Sequence, residues 1–90
     1  MDVLENLKLN IKEALKTLGL DVSLSDIIIE NSKDPLHGDY ASNVALKFAK
    51  QAGSNPRDFA NNLITNLSRD NIDHIEVAGP GFINFFMNIM

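Results

Sequence analysis

The sequence contains no cysteine, and its 90 residues include no long apolar run. Without cysteine the chain can form neither a disulfide framework nor a thiolate metal site, and a reducing compartment suits it. The N-terminal segment carries acidic residues among its apolar ones, unlike a secretory signal peptide. No stretch approaches the roughly 18 apolar residues that a membrane-spanning helix needs. We therefore expect a soluble protein of the cytoplasm.

Positive charge is also scarce. Eight lysine and arginine residues are outnumbered by twelve aspartate and glutamate residues, which gives a formal net charge of −4. Stand-alone nucleic-acid-binding domains are usually basic, because phosphate contacts supply most of their affinity. A nucleic-acid partner therefore requires local clusters of basic residues, or affinity supplied by the rest of a larger protein. The length itself predicts a single domain.

Three segments have patterns typical of helices. Apolar residues recur at helical spacing over residues 3–18, and Asp2 is placed to cap the start. A second helix is predicted over residues 42–52, and a third begins after Asn55, a good N-cap that proline follows. Small side chains form a ridge along the second helix. The members of this alanine ridge are Ala41, Ala45, Ala49 and Ala52.

The other patterns favour strands. Residues 25–31 include three consecutive isoleucines, which favour a strand. Residues 31–39 are rich in turn-forming residues and predict a loop. Residues 74–78 alternate between polar and apolar, and residues 82–87 follow the turn Gly79–Pro80–Gly81. We therefore predict a β-hairpin at the end of the chain.

No set of side chains resembles a catalytic centre. His37 lies in the predicted loop and His74 opens a predicted strand, and neither has a histidine or acidic partner at metal-ligand spacing. The acidic residues are scattered, without a pair suited to acid–base chemistry. The Gly-Pro-Gly turn lacks the glycine spacing of a dinucleotide loop and the lysine of a phosphate-binding loop. We expect no catalytic residue and no metal site, with both histidines at the surface.

Lysines form a stripe on the first predicted helix. Lys8, Lys12 and Lys16 are spaced four residues apart, so they share one face of that helix. Such a stripe is most commonly a solubilising surface. Alternatively, it is a local electrostatic footprint for phosphates.

The last predicted strand carries an aromatic residue and an amide on one face. Strand alternation places Phe82 and Asn84 on one side, and Ile83 and Phe85 on the side that suits a core under helices. An aromatic plane can stack on an unpaired base, and an amide can read the edge of that base. A phenylalanine is usually buried, however. Phe82 is therefore either a core residue or part of a surface that reads nucleic acid.

Three motifs resemble the N-terminal domain of arginyl-tRNA synthetases. Residues 37–50 resemble that family's GDYAxNxAxxxAK signature. Residues 55–60 look like its NPRxxA helix start, and residues 75–85 are similar to its IEVAGPGFINF hairpin. The motifs occur in the order and spacing of the family and cover essentially the whole chain.

The resemblance implies a two-layer α+β fold, with helices packed on one side of a small, mostly antiparallel sheet. It also implies that residues 1–90 are the accessory domain of an arginine–tRNA ligase, and that they contact the D-loop at the outer corner of tRNA-Arg. The family's contacts correspond here to Phe82 and Asn84, with Gly79 at the neighbouring turn. The lysine stripe would add phosphate contacts.

The resemblance further implies what lies outside this sequence. The family's catalytic and anticodon-binding domains have no counterpart here, so we expect no cofactor in this chain and no catalysis by it. ATP and magnesium would bind the rest of the synthetase, which is the expected partner in cis. The isolated domain is expected to be a monomer. Two alternatives stay open: a protein-interaction module that docks through the alanine ridge and the lysine stripe, and a small stand-alone RNA-binding protein.

Overall fold

A computed structural model describes residues 2–88, which form helices packed on one four-stranded sheet. In chain order the elements are α1 (Val3–Thr17), β1 (Ile29–Asn31), β2 (Tyr40–Ser42), α2 (Val44–Phe48), α3 (Pro56–Thr65), β3 (Ile72–Ala78) and β4 (Phe82–Met87). The strand order is β1-β2-β4-β3, and each neighbouring pair is antiparallel. The α+β fold is confirmed. No helix within residues 2–88 is both long enough and apolar enough to cross a membrane.

Helix α1 forms where the apolar spacing predicts it. Asp2 caps its start, because its Oδ1 accepts a hydrogen bond of 2.7 Å from the backbone N–H of Glu5. The apolar face of α1 packs against α3. The Asn10 side chain fixes this packing, since it donates to the Ser68 carbonyl at 2.7 Å and accepts from the Ser68 N–H at 2.9 Å. The buried residues of α1 are Leu7, Ile11, Ala14 and Leu15.

Helix α3 also begins at its predicted cap. Asn55 Oδ1 accepts from the N–H of Asp58 at 2.9 Å, and Asn55 Nδ2 donates to Asp58 Oδ2 at 2.7 Å. Proline occupies the first turn, where its missing N–H removes no helical hydrogen bond. The buried face of α3 is formed by Phe59, Ala60 and Leu63. With α2, this helix covers one face of the sheet.

The predicted helix over residues 42–52 is wrong at both ends. Residues 40–42 form β2, because their backbone pairs with β1 on one side and with β4 on the other. At the other end, α2 ends at Phe48, and the chain continues in turns to Gly53. The last of these turns is closed by a hydrogen bond from the Gly53 N–H to the Lys50 carbonyl. At the start of the predicted helix, a long-range pairing that local sequence does not reveal thus overrides the helical pattern.

The alanine ridge is dispersed as a result. Ala45 and Ala49 are buried in the core, whereas Ala41 lies on β2 and Ala52 is exposed. These four alanines therefore form no continuous surface for another protein to dock on. The protein-interaction alternative therefore loses one of its two proposed surfaces.

The strand predicted over residues 25–31 is shorter than expected. Residues 24–26 form a 3₁₀ turn, closed by a hydrogen bond of 3.2 Å from the Ser23 N–H to Asp26 Oδ2. Strand β1 pairs only with the three residues of β2, from Ile29 opposite Ser42 to Asn31 opposite Tyr40. Its partner therefore limits its length.

The side chains of the central strand β4 alternate between the two faces of the sheet, one buried under the helices and one left open. Ile83 and Phe85 point into the core, where both are fully buried under the helices. The alternate residues of β4 lie on the other side, which we call the open face. Its paired positions form three rows across the strands: Phe82 with Ala78; Asn84 with Glu76, Ala41 and Glu30; and Phe86 with His74.

Candidate nucleic-acid interface

The hairpin turn between β3 and β4 packs directly on the start of α3. A Cβ atom at Gly81 would lie 2.8 Å from Pro56 Cβ and 3.1 Å from the Pro56 carbonyl oxygen, so only glycine fits this contact. Arg57 adds a hydrogen bond of 2.6 Å from its Nη1 to the Gly79 carbonyl. Residues 55–60 and the Gly-Pro-Gly turn, which looked like separate motifs, therefore form one structural unit.

Phe82 is an exposed aromatic residue at the end of this turn. Its side chain is 44% exposed, whereas Phe85 in the core is 0% exposed. The Phe82 ring lies close to Gly79, where an added Cβ would be 3.8 Å from Phe82 Cδ2. The sequence leaves two interpretations of Phe82 open. The exposure of Phe82 contradicts the interpretation as a core residue, and its ring is instead an aromatic plane on the open face.

Asn84 lies beside Phe82 on the same face, but it is only 6% exposed. It forms part of an open depression that also contains Ser32, His37, Ala41, Ala78 and Phe82. Within residues 2–88, the Asn84 amide has no side-chain hydrogen bond. Every described side-chain nitrogen or oxygen that is fully inaccessible does have a hydrogen-bond partner, so the Asn84 amide is not fully inaccessible. The amide therefore reaches solvent from within the depression and is free to donate and to accept.

Among residues 2–88 the other buried polar side chain is that of Ser42, and its bonding differs from that of Asn84. Ser42 donates to the Ile28 carbonyl at 2.8 Å and accepts from the Val44 N–H at 3.2 Å, so its hydroxyl is satisfied within the domain. Buried polar groups are normally hydrogen-bonded in this way. An amide without an internal partner at the edge of a depression is therefore suited to bind a ligand group that has both donors and acceptors.

His74 lies at the opposite end of the open face from Phe82. Its ring stacks on Phe86, with centroids 4.0 Å apart and an interplanar angle of 12°. Its Nδ1 lies 3.1 Å from Asp73 Oδ2 and its Nε2 lies 3.5 Å from Glu76 Oε2. Both carboxylates belong to β3 itself, one and two residues from His74 in sequence, and the sequence prediction, which considers partners at metal-ligand spacing, does not identify them.

His37 lies in the 3₁₀ turn Pro35–His37, with its Nδ1 3.8 Å from Asp34 Oδ2. Both histidines are exposed, as expected. Within residues 2–88, no three or more histidine, aspartate or glutamate side chains are arranged to hold a metal ion.

The GDYA part of the signature has a structural role. The Asp39 N–H donates to the Phe85 carbonyl at 2.8 Å, and Asp39 Oδ2 accepts from the Met87 N–H at 2.8 Å. Gly38 has a positive φ of 88°, and a Cβ there would lie 2.6 Å from the Phe85 carbonyl oxygen. These residues hold the loop of residues 31–39 against β4, next to the depression around Asn84.

The lysine stripe lies on another surface of the domain. Lys12 Nζ is 3.9 Å from Asp21 Oδ1, Lys8 lines a surface depression with Leu24 and Ser25, and Lys16 is exposed. Helix α1 carries this stripe in the helical layer, whereas Phe82 and Asn84 lie on the face that the helices leave open. The structure therefore does not bring the stripe together with Phe82, Asn84 and Gly79.

Comparison with known proteins identifies the family of this chain. The family model described as "Arginyl tRNA synthetase N terminal domain" matches residues 5–87. The arginine–tRNA ligase of Pseudomonas paraeruginosa is 45% identical over 84 residues, which cover 87% of this chain and 14% of the relative. That of Pseudomonas fluorescens is 54% identical over 63 residues, which cover 69% of this chain and 11% of the relative. The chain thus spans only a small part of the length of these relatives.

Solved structures show the same fold. The arginyl-tRNA synthetase of Thermus thermophilus superimposes with a TM-score of 0.78 at 23% identity, over 96% of this chain and 14% of that structure. The arginyl-tRNA synthetase of Plasmodium falciparum gives a TM-score of 0.77 at 19% identity, over 92% of this chain and 15% of that structure.

Proposed function

This chain belongs to the family of arginyl-tRNA synthetase N-terminal domains, and we propose that it is the tRNA-binding accessory domain of an arginine–tRNA ligase. In this proposal the open face binds the D-loop at the outer corner of tRNA-Arg, in the cytoplasm. The rest of the synthetase, linked in cis, binds ATP, magnesium and arginine and charges the tRNA. The accessory domain contributes affinity and orientation but no catalytic group.

One observation carries this proposal: an exposed aromatic ring and an amide without an internal partner lie side by side on the face that the helices leave open. Proteins that recognise RNA loops stack unpaired bases on aromatic rings and read the base edges with hydrogen bonds. Phe82 supplies the plane, and Asn84 supplies a donor and an acceptor. Gly79, without a side chain, leaves the approach to the ring uncrowded.

The experiment that tests this function is an Asn84→Ala substitution in the intact synthetase. We expect the KM for tRNA to rise while kcat stays near its original value, because the amide binds tRNA and takes no part in the chemistry. Discrimination among D-loop bases should also weaken, because the amide reads a base edge. The measurement is aminoacylation kinetics with tRNA-Arg transcripts that differ at single D-loop positions.

Ser42→Ala is the matched control, because Ser42 is the other buried polar residue but is satisfied internally. It should lower the free energy of unfolding by about 1 kcal/mol, the value of a typical hydrogen bond, without changing the KM for tRNA. The proposal fails if Asn84→Ala leaves both the KM and the base preference unchanged.

The lysine stripe is proposed as a second contact, with phosphates of the same tRNA. We expect simultaneous replacement of Lys8, Lys12 and Lys16 by glutamine to flatten the salt dependence of tRNA binding. If each lysine neutralises one phosphate, the slope of log K against log[salt] should decrease in magnitude by about 2. Titrations of tRNA at several salt concentrations measure this slope. An unchanged slope would assign the stripe to solubility alone.

A further inference from the structure

We propose that Arg57 is an additional tRNA-binding residue, which contacts the phosphate next to the nucleotide that stacks on Phe82. This inference rests on the proposed function and extends it from the base to the RNA backbone. The sequence does not indicate such a role, because the NPRxxA motif that contains Arg57 marks only the start of α3. The position of its guanidinium group in the folded domain, however, suits such a contact.

The guanidinium of Arg57 is held in place but not neutralised. Its Nη1 donates to the Gly79 carbonyl at 2.6 Å, which fixes one end of the group on the hairpin turn. A guanidinium has five N–H donors, so most of them remain available. Within residues 2–88, no carboxylate lies within 4.0 Å of Arg57, and the residue is exposed.

Arg57 and Phe82 lie at the same hairpin turn, close to Gly79. The carbonyl of Gly79 accepts the hydrogen bond from Arg57, and a Cβ added at Gly79 would be in van der Waals contact with the Phe82 ring, 3.8 Å from Cδ2. The contact between Gly81 and Pro56 braces the turn on its other side. Because Arg57 is bonded to the turn that Phe82 directly follows, we expect the backbone of a nucleotide stacked on the ring to come within reach of the guanidinium.

The charges of the open face indicate where a phosphate can lie. Glu76 and Glu30 lie in the row of Asn84, and Asp73 lies beyond it next to His74. A neutral base is tolerated there, but a phosphate is repelled. At the other end of the face, the hairpin turn holds the cation of Arg57 through the carbonyl of Gly79. A planar guanidinium also matches the geometry of a phosphate, because it can donate two parallel hydrogen bonds.

The test is the salt dependence of tRNA-Arg binding by the 90-residue chain and its variants. We expect Arg57→Gln to decrease the magnitude of the slope of log K against log[salt] by about 0.7, the value for one phosphate contact with a single strand. Arg57→Lys should retain the original slope, because it keeps the charge. The matched control is Arg69→Gln, because Arg69 is the other arginine of the chain. It precedes β3, about 20 Å from the turn at the usual strand rise, so its loss should leave the slope unchanged.

Phe82→Ala in the same titrations separates this inference from the proposed function. If Phe82→Ala weakens binding at every salt concentration but Arg57→Gln leaves the slope unchanged, the proposed function stands and Arg57 only braces the turn. If Phe82→Ala has no effect on binding, the proposed function fails, and the inference fails with it. Equal loss of slope in Arg57→Gln and Arg69→Gln would also overturn the inference, because it would indicate a response to net charge alone.

Discussion

Replacing Phe85 with alanine is expected to lower the free energy of unfolding of the domain by about 3–5 kcal/mol. The side chain is 0% exposed, and its position on β4 pairs with Tyr40 of β2 and with Ile75 of β3. It therefore fills the centre of the core between the sheet and the helices. Truncation leaves a cavity that two neighbouring strands and the helical layer cannot close without losing their own contacts. Urea denaturation followed by circular dichroism measures the change.

The control for this prediction is Phe82→Ala, a substitution of the same size three residues earlier on β4. Its ring lies on the open face, so its removal creates no enclosed cavity. We expect the loss of stability to be well below that of Phe85→Ala. Equal losses for the two variants would contradict the division of β4 into a buried face and an open face.

Phe82→Ala is expected instead to weaken tRNA binding. Stacking of a base on an aromatic ring contributes about 1–3 kcal/mol, so the Kd for tRNA should rise by about 5- to 150-fold. Phe82→Tyr keeps the aromatic plane and should bind with nearly unchanged affinity. In the intact synthetase the effect should appear mainly in the KM for tRNA. Anisotropy titrations with labelled tRNA-Arg measure the Kd, and comparable binding by Phe82→Ala and the unmodified domain would show that the ring does not stack on a base.

The elements that the sequence predicts well are those set by local patterns. Helices α1 and α3 have apolar faces at helical spacing and cap residues, Asp2 and Asn55, whose hydrogen bonds reach only three residues along the chain. The hairpin of β3 and β4 joins strands that are adjacent in sequence. Strand β2 could not be predicted in this way, because its three residues are held by partners from distant parts of the chain. Ala41 and Ser42 of this strand instead continue the helical pattern of the residues that follow them.

The candidate site shows the same division between local and long-range information. Strand alternation predicts that Phe82 and Asn84 share a face, and they do. The depression that contains Asn84 is lined in part by Ser32 and His37 from the loop of residues 31–39, which is distant in sequence and bonded to β4. The hydrogen bond from Arg57 to Gly79 joins residues 22 positions apart. No periodicity in the sequence reveals a contact of that kind.

The most direct test of the central claim, that the open face binds tRNA, is an NMR titration of the isotope-labelled 90-residue chain with unlabelled tRNA-Arg. We expect the largest chemical-shift changes at the Asn84 side-chain amide, the Phe82 ring and the Arg57 Nε–H. Signals of buried residues in α1, such as Ile11, should change little. The claim is contradicted if the open face is unaffected at saturating tRNA, or if the changes are confined to the lysine stripe on α1.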